Sequence, residues 1–131
     1  MKKAMKYGYK RNAPLPFVEA VEKVKSELAK EGFGVLTEID VKATLKKKLS
    51  VEYDNYLILG ACNPPLALKA LQAEKDIGLF LPCNVIAYED SGKVFVSAIM
   101  PTVALQVVGN ASLADLGKMV EEKLVRVVDN V

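Results

Sequence analysis

Both cysteines of this chain stand directly before an asparagine: Cys62-Asn63 precedes Pro64, and Cys83-Asn84 follows Pro82. A thiol can serve as nucleophile, redox partner or soft-metal ligand, and an asparagine amide offers a ligand both donors and acceptors. The chain has no histidine, which excludes Ser-His catalysis and histidine-assisted zinc binding. The C-x-x-C spacing of thioredoxin-type and zinc-ribbon sites is also missing. Two thiolates would suit a soft ion such as Cu(I), whereas zinc would need further ligands. No metal-ligand set is assigned, and the sequence names no cofactor.

The elements around these residues decide whether they can act together. Tyr56 to Cys62 is apolar on both pleat faces and reads as a central strand. Asn63 is a strong N-cap and Pro64 suits the first helical position, so a helix follows, with Leu66, Ala67, Ala70 and Leu71 on its buried side. Cys62 then sits where a strand meets a helix N-terminus, a place whose free amides would favour thiolate. The competing reading is a small apolar core residue beside a capping asparagine. About twenty residues separate the thiols, enough for a helix of about ten that runs out about 15 Å and an extended return. The sulfurs can therefore line one pocket or lie at opposite ends of a sheet.

Along the rest of the chain, Met5, Tyr7 and Tyr9 alternate with Lys6, Gly8 and Lys10 as a half-buried first strand. Phe17, Val21, Val24 and Leu28 form a helical stripe that stops at Gly32. Gly34 to Ile39 reads as a strand with Val35, Thr37 and Ile39 on one face and Leu36, Glu38 and Asp40 on the other. Asp40 caps a short helix whose stripe is Val41, Leu45 and Leu49, with Lys42, Lys46, Lys47 and Lys48 between them. After an irregular apolar connection come a hairpin, Val85 to Tyr88 and Val94 to Met100, and a last helix opened by Ser112 and Asp115 as a capping box. Its stripe is Leu113, Leu116, Val120, Leu124 and Val127. The order predicts an α+β two-layer sandwich, a mostly antiparallel sheet with helices on one face, as a single domain over 1–131. The apolar second face of the central strand then calls for a cover, and a homodimer is the expected one.

With 18 Lys+Arg against 16 Asp+Glu, the net charge of +2 is far from the dense positive footprint that nucleic acid or anionic lipid rewards. Neither is expected as a partner, although the lysine-rich helix and basic N-terminus form a minor candidate surface for anions. The first residues lack a signal-peptide h-region, and the uncharged stretch from Val94 to Ala114 is interrupted by Pro101, Gly109 and Asn110. No membrane span and a cytoplasmic location are the expectations. Gly32 and Gly34 precede a strand rather than open a helix, so they carry no phosphate-loop information.

The runs Gly32-Phe33-Gly34-Val35-Leu36-Thr37-Glu38-Ile39-Asp40, Leu59-Gly60-Ala61-Cys62-Asn63-Pro64 and Leu81-Pro82-Cys83-Asn84-Val85 resemble domain-of-unknown-function family 302, from about Met5 to about Val128. The resemblance implies a two-layer sandwich of TATA-binding-protein-like topology, often dimeric, with no established activity. A fold analogy does not carry DNA binding with it. The candidate ligand-binding residues are Cys62, Asn63, Cys83 and Asn84, with Glu38 beside them. The expected function is a homodimeric small-ligand binding or sensing module with a pocket near the two Cys-Asn pairs. The alternatives are a thiol-dependent redox protein or enzyme using Cys62 and Cys83, and a soft-metal binding protein.

Overall fold

The computed structural model describes residues 2–4 as backbone and residues 7–131 in full. Met5 and Lys6 of the expected first strand lie outside the described residues. Six strands form one sheet in the order β1-β2-β6-β5-β4-β3, every neighbouring pair antiparallel. They are β1 (Lys2–Ala4), β2 (Gly8–Ala13), β3 (Gly34–Asp40), β4 (Tyr56–Cys62), β5 (Cys83–Asp90) and β6 (Lys93–Ile99). The tyrosine-lysine alternation belongs to β2, which runs further than its pattern and stops before Pro14. Nothing in three residues could announce β1.

The helices α1 (Phe17–Lys30) and α5 (Ser112–Asp129) cover one face of the sheet. Their stripes are those the periodicity predicts, with Val21, Val24 and Leu28 buried on α1 and Leu113, Leu124 and Val127 on α5. They close on rows of in-register strand residues: Leu59 opposite Val85 opposite Ala98, and Leu57 opposite Ala87 opposite Val96. Such rows follow from the two-residue pleat period, which puts every second side chain on the helix side. Two polar clamps fix the helices over the sheet. Arg126 on α5 meets the Glu31 carboxylate with Nε at 3.1 Å and Nη2 at 2.9 Å, and the Tyr9 hydroxyl donates to Asp129 Oδ1 at 2.7 Å. The Arg126 guanidinium holds the Glu31 carboxyl below the usual carboxylate range.

The other face carries an aromatic row. Tyr56, Tyr88 and Phe95 stand opposite one another, with ring centroids 5.3 Å and 5.5 Å apart, and Lys10 Nζ lies 4.6 Å from the Phe95 ring centroid. Ile58 and Ile86 form the next row, and all five apolar residues remain partly exposed.

Three local expectations are corrected. Val35 does not share a face with Thr37 and Ile39, because a bulge between Val35 and Thr37 shifts the register and turns Val35 toward the core. Helix α2 (Val41–Leu49), capped by Asp40 Oδ1 accepting from Ala43 N at 2.9 Å as expected, fully buries none of its residues: Val41 and Leu45 of its stripe are half-buried where it meets β3 and β4, and Leu49 is exposed. Ser112 does not cap α5; it is the first helical residue, and Asn110 Oδ1 accepts from its N–H at 2.9 Å. The uncharged stretch from Val94 to Ala114 becomes β6, the short helix α4 (Pro101–Ala104), a 3₁₀ segment (Leu105–Val108) and the start of α5. No helix among the described residues is long and apolar enough to cross a membrane.

Candidate functional site

Strand β4 ends at Cys62, β5 begins at Cys83 and β6 ends at Ile99, all at the same end of the sheet. Cys83 pairs with Ala61, so the two thiols come from adjacent register positions on neighbouring strands. Past this end the chain makes α3 (Pro64–Ala73) and a 3₁₀ segment (Lys75–Phe80), and after β6 it makes α4. These pieces and the N-terminal half of α5 border a half-open cavity of about 60 Å³. Cys62, Asn63 and Cys83 line it, as do Leu66 and Ala70 from α3 and Gly117 from α5. Ala61 and Cys62 have opposite pleat parity yet both reach it, because the cavity wraps around the strand ends.

Asn84 and Glu38 do not belong to this cavity. Asn84 is exposed opposite Gly60, one step out of phase with the helix-facing row of Leu59 and Val85. Glu38 lies opposite Leu59 and forms an ion pair with Lys25 of α1 at 3.1 Å. Gly60 itself has no room for a side chain: a Cβ there would lie 2.2 Å from Thr37 Oγ1 and 2.7 Å from Pro82 Cγ.

Asn63 is held by backbone at both ends of its amide. Its Oδ1 accepts from Leu66 N at 3.4 Å, and its Nδ2 donates to the Glu31 carbonyl at 3.2 Å. The second bond ties the turn after α1 to the start of α3. That turn passes through Gly32 at φ 84°, where a Cβ would be strained and only 3.1 Å from Asn63 Nδ2.

The helix start that was expected to activate Cys62 offers no free amide. Pro64 and Pro65 have no N–H, the Leu66 N–H goes to the Asn63 side chain and the Ala67 N–H to the Asn63 carbonyl at 2.8 Å. Burial, with the neighbouring Cys62 as the second cause, pushes the Cys83 thiol up to about 11. At neutral pH Cys83 is therefore a protonated, largely apolar wall residue.

Sequence periodicity assigns Leu116 and Val120 to the α5 stripe but not to a cavity, and it misses the part played by Pro101, Ala104 and Leu105. The signal that could have pointed to them is Gly117 inside a long helix, together with alanines at Ala67, Ala70 and Ala104, since small residues on facing helices leave space. A wider, more open cleft of about 680 Å³ lies beyond Pro101, Leu105 and Leu113, with Thr102, Lys118 and Glu121 on its walls. It holds neither thiol.

Residues 9–131 match the family model described as Domain of unknown function DUF302. The crystal structure of an uncharacterized conserved protein DUF302 from Bacillus stearothermophilus is similar, with a TM-score of 0.90 and 27% sequence identity over 97% of this chain and 98% of that one. No curated protein matches the chain.

Replacing Asn63 tests its backbone role. In urea denaturation, Asn63→Ala is expected to cost about 0.5–2 kcal/mol through the lost cap, with the Glu31 carbonyl left unpaired. Asn63→Asp, which keeps the capping oxygen, should fall between the two. An alanine variant as stable as the parent would contradict this assignment.

Proposed function

The chain belongs to the DUF302 family, and we propose that it is a small-ligand binding module whose pocket is the cavity at the strand ends, working as a homodimer assembled on the sheet face that its helices leave bare. The observation that carries the binding site is convergence: the only two thiols of the chain and the end of β4 border one half-open apolar space. Pockets of this kind, lined by apolar side chains with a few polar groups at the margin, are the common form of small-molecule sites. A redox or nucleophilic role for the pair has less support, because Cys83 stays protonated up to about 11 and no amide of α3 is free to hold a thiolate. The same proton would have to leave before a soft ion could bind Cys83 as thiolate.

For the dimer, the support is the aromatic row of Tyr56, Tyr88 and Phe95 beside Ile58 and Ile86, a contiguous apolar surface of the kind that subunit contacts cover. Sedimentation equilibrium should give about twice 14.3 kDa, and Phe95→Asp, which places a charge in the row, should return the protein to monomer. A parent chain that stays monomeric at micromolar concentration contradicts the dimer.

The pocket is tested by screening a small-molecule library by NMR. Binders should move the methyl resonances of Ile77, Leu116 and Val120, and Cys83→Phe should abolish the response in a folded protein. Binders that perturb only other regions, or a response untouched by filling the cavity, would show that the space is not the site.

A further inference from the structure

Resting on the reading of this cavity as a binding site, we propose that its ligand is an uncharged apolar molecule, or the apolar end of one, and that anions and cations of the same size are refused. No lysine, arginine, aspartate or glutamate lines the cavity. Its one amide side chain, Asn63, already bonds backbone through both Oδ1 and Nδ2. The thiols of Cys62 and Cys83 are weak hydrogen-bonding groups that behave as small apolar side chains. A charged ligand would shed its hydration without gaining a partner, and that cost exceeds anything the walls return. The raised titration of Cys83 has the same cause: the walls disfavour a negative charge.

Size points the same way. The space of about 60 Å³ is several times the roughly 10–15 Å³ that a single water needs and well below the roughly 150 Å³ of an apolar cavity that takes benzene. Water would find few partners in it, and an empty apolar space forfeits dispersion contacts along its whole lining. A few carbon atoms restore those contacts. The space exists because Ala67, Ala70, Ala104 and Gly117 stand where larger side chains would close it. A polar ligand has a better place in the open cleft next door, where Thr102, Lys118 and Glu121 supply hydrogen-bonding and charged groups. Pro101, Leu105 and Leu113 line both spaces and so form the partition between them.

The test uses the full chain with xenon as the first probe and the pair 1-butanol and butyrate at pH 7 as the second, since these two share an alkyl chain and differ in charge. Xenon should shift the methyl resonances of Ala67, Ala70 and Ala104 saturably and leave that of Ala43, on exposed α2, in place. 1-Butanol should displace xenon, whereas butyrate at the same concentration should not. Ala70→Leu should reduce the xenon shifts about tenfold, and Ala104→Val serves if that variant does not fold. Displacement by butyrate as strong as that by 1-butanol overturns the apolar ligand class while leaving the cavity as a site. No xenon shift at the three alanines overturns the inference as well, and the library binders then decide the fate of the site independently.

Discussion

Burial on one side only is the constraint that organises this protein. An antiparallel sheet can bury one face and leave the other to solvent or to a partner, because alternate side chains point to opposite sides. Here the helix side is closed by the stripes of α1 and α5 against the rows of Leu59, Val85 and Ala98 and of Leu57, Ala87 and Val96. Those contacts fix the register of β4, β5 and β6, since a slip of one residue would carry each row to the wrong face. The register in turn puts Cys83 opposite Ala61 and so beside Cys62. The meeting of the thiols is thus a consequence of core packing.

The same constraint explains why a cavity forms at that end. Where the strands stop, the core must be closed by α3, α4 and the two 3₁₀ segments, which are short, and by the first turns of α5. Gly117 and the alanines of α3 and α4 keep these pieces from filling the space completely. Asn63 locks one wall by capping α3 and holding the turn at Gly32, and the paired prolines take away the amides that a thiolate would need. The outcome is an apolar, uncharged space beside the protonated thiol of Cys83.

Much of the fold was legible in the sequence because its elements bury one clear stripe each. The periodicities of α1 and α5, the Asp40 and Asn63 caps and the two-sided apolarity of β4 all depend on local residue order, and each reappears in the structure. What failed depended on partners at a distance. The Val35 bulge is set by pairing with β4, and the stripe of α2 is only half-buried because it meets the edge of the sheet at β3 and β4. Ser112 falls inside the helix, where its own N–H is taken by the Asn110 side chain. At the site, Cys62, Asn63 and Cys83 could be named from their place next to Pro64 and Pro82, whereas Asn84 and Glu38 required the pleat parity and ion pairing that only the assembled sheet reveals. The walls supplied by α4 and α5 come from more than thirty residues further along the chain than Cys62, and Gly117 and Ala104 are the only local marks of them.

The claim on which the site depends is that the cavity at the strand ends excludes water and charge, and the alkylation rate of Cys83 as a function of pH tests it most directly. In the folded protein, with reaction at each cysteine read separately by mass spectrometry, the Cys83 profile should rise with a midpoint near 11 instead of the ordinary 9.0. A midpoint at or below the ordinary value would mean that water or a positive charge reaches the sulfur, and would contradict an apolar site that keeps both away from Cys83.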